Sequence, residues 1–445
     1  MPDLLIELLS EEIPARIQGF AAQELRKNML SFLAEQGLSE IAATAFSTPR
    51  RLTLFITGLP EKSDDFIEER KGPRVDAPQK ALDGFLRSVD LELGQLNVKR
   101  DGNVDKYFAS IKTPGRISTQ IVAEALEKTI RTFPWPKSMR WGVSSLRWVR
   151  PLKGILCIFI KDAEHQVIDL QIDGIRSDSC TTGHRFMAPD YFTVKDFEDY
   201  KLKLRNAFVI LDNRERSEII LNDANNLAFA NGLDLINDEA LLEEVSGLVE
   251  WPVTLLGKVD SEFLDLPSEV LRASMKEHQK FFSLKNPKTE KIERFITVAN
   301  IESADNGATI LEGNQKVLYA RLSDAKFFWE NDLRLIQKDG LDTWLEKLKN
   351  VTFHNKLGSQ ADKVLRISAL TKKLVGPLAC DGEAAVNGAN ICKSDLTSEM
   401  VYEFPELQGV MGRYYAISCG YSDSVAKVCE EHYKPKGPNL SLIHI

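Results

Sequence analysis

Markers of several classes of protein are missing from the sequence. Its six cysteines form no CxxC pair and are scattered between positions 157 and 429, which argues against a disulfide framework and a zinc ribbon. The longest strongly apolar run, residues 155–160, is far too short to cross a bilayer. The first residues carry an early acid, Asp3, and no basic stretch, unlike a secretory signal. These absences predict a cytoplasmic protein that does not enter membranes.

Motifs of the common catalytic sites are missing as well. The chain has no GxxxxGK loop for phosphate, no GxGxxG after a predicted strand and no GxSxG nucleophile turn. The polar segment at residues 277–282 does not form the HExxH zinc motif. The sequence therefore predicts no catalytic residues of its own.

Carboxylates are absent from one long stretch. Between Glu127 and Asp162 there is none, although the whole chain has a formal charge of -8, and the stretch holds eight basic residues and three of the six tryptophans. Guanidinium groups bind phosphate and nucleobases stack on indole rings, so this composition favours contact with nucleic acid. The residues that we predict for the contact are Lys137, Arg140, Trp141, Arg147, Trp148 and Arg150. The alternative is that the tryptophans are core residues and that the basic side chains lie over the same core.

A chain of 445 residues is too long for one core, and its pattern predicts an α+β protein of several domains. The N-terminal part is predicted to form strand, helix and strand, the last at residues 51–57, and a charged, turn-rich segment at 68–73 is predicted to be a linker. An Asp-Gly pair predicts a hairpin around residues 100–103. Strand and helix patterns alternate from residue 155 to about 310. Beyond the loop at 302–307, the sequence pattern predicts mainly helices.

Two isolated polar motifs allow both functional and structural interpretations. His184 and Arg185 follow Gly183 in a loop suited to anions, but a structural histidine with satisfied hydrogen bonds is the commoner arrangement. His354 and Asp395 are weak metal candidates, of the type used by helical metal-dependent phosphohydrolases. Such a site needs a His-Asp doublet and more ligands, whereas this chain has a serine before the aspartate, so no metal site is predicted.

Ten short motifs follow one another along the chain, among them Lys-Ser-Met-Arg-Trp-Gly and Thr-Gly-His-Arg-Phe. They lie at residues 7–15, 48–52, 137–142, 147–151, 182–186, 244–253, 278–282, 313–314, 320–325 and 407–412. Each motif alone is weak, but the ordered set covers nearly the whole chain. In that order it resembles the beta subunit of the bacterial heterotetrameric glycyl-tRNA synthetase.

The resemblance implies an organisation in three parts. Residues 1–66 form a strand-helix-strand unit, residues 67–307 a mixed α/β body similar to an editing-type synthetase domain, and residues 308–445 an incomplete helical domain similar to a degenerate HD domain. As second-choice RNA contacts we predict Arg50, Arg51 and Arg185.

The resemblance further implies a ligase subunit whose active site lies on its partner. A catalytic alpha subunit attaches glycine to tRNA(Gly), and the beta chain binds the tRNA within an alpha2beta2 tetramer. The beta chain needs no cofactor of its own, because ATP, glycine and Mg²⁺ are used on the alpha subunit.

Two departures from the family pattern lead us to expect a truncated chain. Family members run on to an anticodon-binding domain, and residues 440–445 do not follow the family pattern. Two other functions stay open: a metal-dependent HD-type phosphohydrolase, and a non-enzymatic scaffold whose basic stretch docks an acidic protein surface.

Overall fold

The computed structural model of the protein describes residues 1–39, 41–102, 104–162 and 164–434. The chain divides into two compact units, residues 1–219 with 243–252, and residues 220–242 with the chain from 253 onward. Each unit combines helices with sheets, which confirms the predicted α+β class. The division at residues 66 and 307 stays a prediction, and the unusual segment at 440–445 lies outside the described residues.

The first unit contains twelve strands within its described residues. They are β1 (Asp3–Ser10), β2 (Ala42–Thr48), β3 (Arg51–Thr57), β4 (Phe66–Arg74), β5 (Leu96–Asp101), β6 (Val104–Thr113), β7 (Leu152–Lys161), β8 (Glu164–Val167), β9 (Gln171–Ile172), β10 (Ile175–Asp178), β11 (Cys180–Thr182) and β12 (Tyr191–Thr193). Its helices are α1 (Ala15–Glu35), α2 (Gln79–Val89), α3 (Ser118–Arg131) and α4 (Phe197–Asn206). Helices α5 (Asn213–Ala230) and α6 (Glu239–Ser246) each contribute residues to both units.

A seven-stranded sheet forms the centre of the first unit. Its strand order is β2-β3-β1-β7-β10-β9, with β8 paired to β7, and only β10 runs parallel to its neighbour β7 among the described pairs. The predicted N-terminal strands and helix are confirmed, and the structure adds β2, which the sequence pattern did not indicate. Ser10 is the last residue of β1, and α1 begins after Pro14 without a side-chain cap.

Alternate side chains of β1 pack into hydrophobic cores on the two faces of this sheet. Leu4, Ile6 and Leu8 pack with helices α1 and α3, and Leu5 packs with α4 on the other face. Glu7 points to the same face as Leu5 and is also buried. A buried carboxylate in that position needs a charged or hydrogen-bonding partner.

A smaller sheet, β4-β6-β5, corrects the predicted linker at residues 68–73. That segment belongs to β4, and Glu69, Arg70 and Lys71 are exposed because the strand lies in a sheet with a solvated surface. Gly72 has the aromatic ring of Phe85, from α2, against it, so a larger residue would not fit there. The predicted hairpin is confirmed as β5 and β6, although residue 103 lies outside the described residues.

The second unit joins a sheet to a group of helices. Its strands are β13 (Asp234–Leu235), β14 (Val253–Lys258), β15 (Phe282–Lys285), β16 (Ile292–Ala299), β17 (Thr352–His354) and β18 (Gly358–Ser359). Its further helices are α7 (Ser268–Ala273), α8 (Ala308–Asp339), α9 (Asp342–Lys347), α10 (Gln360–Leu378), α11 (Gly382–Ile391), α12 (Glu399–Glu403), α13 (Val410–Ser418) and α14 (Asp423–Glu431). The helical character predicted after residue 310 is confirmed.

Helix α8 connects the two cores of the second unit. Leu318 and Leu322 pack with residues from the sheet β13-β15-β16-β14, whereas Ala325 and Ile336 pack among the following helices. It has 32 residues and begins directly after the loop at 302–307, where the helical region was predicted to start. No helix within the described residues is long and apolar enough to span a membrane.

Candidate nucleic-acid interface

Residues 133–150, here called the basic loop, connect α3 to β7 in the first unit. An isolated antiparallel bridge holds its two sides together: the Met139 amide donates to the Trp148 carbonyl at 2.8 Å, and the Trp148 amide donates to the Met139 carbonyl at 3.2 Å. Arg140 and Arg147 are the next residues on the loop side of this bridge. Both of these side chains are exposed.

The four cations predicted as first-choice RNA contacts have no acidic partner within the described residues. Lys137 and Arg140 make no ion pair there, while Arg147 Nε donates to Ser138 Oγ at 3.3 Å and Arg150 donates to the neighbouring Val149 carbonyl at 3.0 Å. All four side chains are exposed. The centre of the carboxylate-free stretch is thus positively charged.

The ends of the stretch differ from its centre, because acids outside the stretch pair with several of their basic residues. Arg131 pairs with Glu127 and with Asp173, and Lys161 pairs with Glu61 at 2.7 Å. Lys153 pairs with Glu11. A charge pattern read along the sequence does not distinguish these residues from the four in the centre.

Asp173 anchors the basic loop. Its carboxylate accepts hydrogen bonds from Ser144 Oγ at 2.6 Å and from the Leu146 amide at 2.8 Å. These bonds lower the pKa of Asp173 to about 2, the Ser144 hydroxyl contributing most. The loop that carries Arg140 and Arg147 is therefore held in one conformation, and nothing in the sequence near the loop indicated this aspartate.

The tryptophans of the basic loop are largely core residues, as the alternative interpretation of the stretch predicted. Trp148 is fully buried, and its ring lies edge-on to Trp135 with the centroids 4.8 Å apart. Trp141 is partly buried and packs against the same core. Of the two tryptophans predicted as stacking platforms, only Trp141 keeps exposed surface.

Arg51 lies inside the first unit and is fully buried. Its guanidinium contacts the Glu250 carboxylate at 2.6 Å and the Glu7 carboxylate at 3.2 Å, and it donates to the Thr182 carbonyl at 2.9 Å. Burial opposes the charge, but the carboxylates of Glu250 and Glu7 outweigh it and hold the pKa of Arg51 above its ordinary value. These contacts give Arg51 a structural role and leave no side-chain surface for RNA.

The predicted residue Arg50 is half-buried at the edge of the same group. Its guanidinium is 3.8 Å from the Glu250 carboxylate and donates to the Gly183 carbonyl at 3.3 Å. Burial lowers its pKa below the ordinary value for arginine. Arg50 thus holds the loop at residues 183–188, which follows β11, and has limited access to solvent.

A second buried arginine, Arg216 in α5, was missed by the sequence reasoning. It donates to the carbonyls of Ile210 at 2.6 Å, Ser47 at 2.9 Å and Ser246 at 3.0 Å. Burial lowers its pKa to about 10. We call Glu7, Arg51, Arg216 and Glu250 the buried arginine cluster, and its members come from segments far apart in sequence.

The contacts of His184, in the loop at residues 183–188, confirm that this histidine has a structural role. The imidazole is buried, and its Nδ1 accepts from the amides of Phe186 and Met187, each at 3.3 Å. Arg185, a second-choice RNA contact, is half-buried and pairs with Glu11 and with Glu12, the latter at 2.8 Å.

The weak metal candidates occupy different surroundings in the second unit. His354 is exposed at the end of β17, and its Nδ1 accepts from the Lys356 amide at 3.1 Å. Asp395 is buried, and its carboxylate accepts from the amides of Gly409 and Gly412. Within the described residues no group of three or more His, Cys, Asp or Glu side chains is arranged to hold a metal ion.

Comparison with known proteins identifies the chain's relatives. The family described as glycyl-tRNA synthetase beta subunit matches residues 4–442. The glycine–tRNA ligase beta subunit of Ruegeria sp. (strain TM1040) is 58% identical over 440 residues, which cover 99% of this chain and 64% of that protein. Those of Dinoroseobacter shibae and Phenylobacterium zucineum are 56% and 51% identical, and this chain covers 61% and 65% of them. The chain thus spans slightly less than two thirds of the length of these relatives, and it belongs to the family of glycyl-tRNA synthetase beta subunits.

Proposed function

We propose that this chain binds tRNA(Gly) for a glycine–tRNA ligase in which a separate alpha subunit carries out ATP-dependent attachment of glycine. The chain works in the cytoplasm within an alpha2beta2 tetramer and uses no cofactor of its own, while ATP, glycine and Mg²⁺ bind to the alpha subunit. The names of the relatives support the ligase, and the basic loop supports the RNA contact.

The observation that carries the RNA contact is that Arg140 and Arg147, which follow the Met139–Trp148 bridge on its loop side, are both exposed and have no described acidic partner. A guanidinium group that no acid neutralises is available to a phosphate, which it binds through charge-assisted hydrogen bonds. The two arginines therefore suit an anion that carries several negative groups, as an RNA backbone does.

The basic loop would position the RNA and leave the chemistry to the partner. Lys137 and Arg150 extend the positive surface on either side of the arginine pair, and Trp141 offers partial aromatic surface. Phosphate contacts fix the register of a nucleic acid without reading its sequence. The overall charge of -8 opposes binding elsewhere on the chain, which concentrates RNA at this loop.

Removing the arginine pair tests this assignment. In the double variant Arg140→Ala/Arg147→Ala, tRNA(Gly) affinity should fall, and the slope of log K against log salt should decrease by about two, since each lost phosphate contact removes about one. Fluorescence anisotropy titrations at several salt concentrations measure both quantities. The matched control is Arg176→Ala, because Arg176 is also exposed but pairs with Asp169 at 3.0 Å. An unchanged slope in a folded double variant would remove the basic loop from the interface.

The phosphohydrolase and scaffold alternatives have weaker support. His354 and Asp395 contact different groups, and no described observation favours hydrolysis. A scaffold would bind the alpha subunit through the basic loop, so tRNA would compete with that subunit. Glycylation assays with and without this chain, at fixed alpha subunit, separate tRNA binding from scaffolding.

A further inference from the structure

Asp173 lies at the tip of the hairpin that joins β9 to β10. Ile172 pairs with Ile175, so the turn between the two strands consists of Asp173 and Gly174 alone. Both turn residues have a positive φ, 47° and 87°, as the tight turn of such a hairpin requires. The hairpin therefore presents the carboxylate of Asp173 at a defined place.

One carboxylate oxygen of Asp173 accepts hydrogen bonds from three residues of the basic loop. Its Oδ2 accepts from Ser144 Oγ at 2.6 Å, from the Leu146 amide at 2.8 Å and from Ser145 Oγ at 3.3 Å. The other oxygen, Oδ1, accepts from Arg131 of α3 at 3.3 Å. The side chain of Asp173 is only 14% exposed. It thus ties the middle of the basic loop to the hairpin and to the end of α3.

The part of the loop that Asp173 holds also contains a turn of its own. The Ser144 amide donates to the Trp141 carbonyl at 3.1 Å, and Gly142 within this turn has a φ of 55°, in the left-handed region that favours glycine. The Leu146 amide donates to Ser144 Oγ at 3.0 Å as well as to the carboxylate. The bond from Ser144 to Asp173 therefore fixes a segment that is already compact.

Arg140 and Arg147 each lie between two anchored pieces of backbone. On one side of both arginines, the bridge between Met139 and Trp148 closes the loop. On the other side is the segment 141–146, which the carboxylate holds. The backbone at the two arginines is therefore ordered before any ligand binds.

We propose that Asp173 is a positioning residue for RNA, and that it strengthens RNA binding although its own charge repels phosphate. This inference rests on the proposed RNA-binding function of the basic loop. Arginines on an unanchored loop would lose their freedom only on binding, and that loss of entropy would weaken the complex. Asp173 avoids the loss, because it orders the backbone beside both arginines in the free protein.

The charge of Asp173 and its hydrogen bonds have opposite effects on RNA affinity. A carboxylate beside the basic loop repels a polyanion, so removal of the charge alone should strengthen binding. Arg131 offsets part of this charge, and ions in solution screen it further. The hydrogen bonds act on the loop itself, and their removal should weaken binding. The sign of the change in affinity therefore distinguishes the two roles.

Two substitutions at Asp173 separate the charge from the hydrogen bonds. Asp173→Ala removes both, and it should weaken tRNA(Gly) binding about fivefold or more, since two arginines would then be ordered only on binding. Asp173→Asn removes the charge but keeps an oxygen acceptor for the Oδ2 bonds, and its affinity should stay within about twofold of the wild type. Both variants retain Arg140 and Arg147, so the slope of log K against log salt should not change. Fluorescence anisotropy titrations at several salt concentrations measure both quantities.

The matched control is Asp169→Ala. Asp169 is an exposed acid near Asp173 in sequence, but its described hydrogen bonds go to Arg176 and not to the basic loop. Its removal should not weaken RNA binding. Should circular dichroism show that Asp173→Ala does not fold, Ser144→Ala takes its place, because it removes the shortest bond and keeps the carboxylate. That variant should also weaken binding.

Every other result overturns the inference. Unchanged or tighter binding by Asp173→Ala, or by Ser144→Ala in its place, would exclude a positioning role. Equal weakening by Asp173→Ala and Asp173→Asn would show that the hydrogen bonds to the loop are not the cause. An equal loss in Asp169→Ala would have the same consequence.

The arginine-pair variant distinguishes this inference from the proposed function. If the salt slope of Arg140→Ala/Arg147→Ala decreases while Asp173→Ala binds as the wild type does, only the positioning role fails. If the salt slope of the arginine-pair variant does not decrease, the RNA contact at the basic loop fails, and the positioning role fails with it.

Discussion

The buried arginine cluster and the basic loop belong to the same unit and use the same side chain in opposite ways. In the cluster, Arg51 meets two carboxylates and a carbonyl, and Arg216 is satisfied by backbone carbonyls. In the basic loop, Arg140 and Arg147 are exposed to solvent and have no described acidic partner. Arginine therefore stabilises the fold in one place and remains available for a ligand in the other.

The difference lies in partners that are remote in sequence. Arg51 and Glu250 are separated by 199 positions, so the sequence around Arg51 shows no sign of its carboxylate. Arg140 and Arg147 have no such partner among the described residues, and the anchor of the basic loop, Asp173, accepts hydrogen bonds from Ser144 and Leu146 instead. A run of arginines in sequence thus becomes interpretable only after the acids are located.

Removal of an arginine from the buried arginine cluster should reduce the stability of the fold most. Arg51→Ala leaves the carboxylates of Glu7 and Glu250 buried without their cation, which should reduce the free energy of unfolding by about 3–5 kcal/mol. Urea denaturation followed by circular dichroism measures it. Arg140→Ala, the exposed counterpart, should change it by less than about 0.5 kcal/mol. Equal effects of the two substitutions would abolish the distinction between cluster and loop.

The same comparison between buried and exposed side chains can be made with the tryptophans of the basic loop. Trp148→Ala should cost about 3–5 kcal/mol, because it empties a fully buried site beside Trp135. Trp141→Ala should cost only about 1 kcal/mol, since its ring is partly exposed. Thermal unfolding of both variants, each with a tRNA titration, checks the order. A larger loss of stability for Trp141 would contradict the assigned burial.

A smaller effect on stability is expected from Asp395, a buried acid that is held mainly by backbone amides. Burial raises its pKa from 3.8 to about 6, although the Gly409 and Gly412 amides and the Lys393 charge oppose this. Because the folded pKa is the higher one, the folded state gains a proton first as pH falls. Stability from this group should therefore rise by about 1–1.5 kcal/mol between pH 7 and pH 5. Asp395→Asn should remove that gain. If the free energy of unfolding varied with pH in parallel for the wild type and the variant, the prediction would be refuted.

Regular elements with strong local patterns were predictable. The apolar run at 155–160 lies in β7, and the Asp-Gly turn joins β5 to β6. Strand β4 was not predictable, because its charged residues match a solvated strand and a linker equally well. Strand β2 was missed because its alanines and polar residues give a weak β pattern, and pairing with β3 stabilises it.

The candidate interface was predictable only in part. The absence of carboxylates identified the basic loop, and the cations predicted there are exposed. The same reasoning proposed Trp148 for RNA, although hydrophobic burial places it in the core.

Ordered motifs, local periodicity and composition were enough to establish the family, the α+β class and the position of the acid-free stretch. They were not enough to tell which arginines are available to a ligand. An arginine's state depends on the acids and carbonyls within a few ångströms of it, and folding brings these from distant parts of the chain. Arg51 meets Glu7 and Glu250 inside the first unit, whereas Arg140 and Arg147 lie exposed at its surface with no described acidic partner.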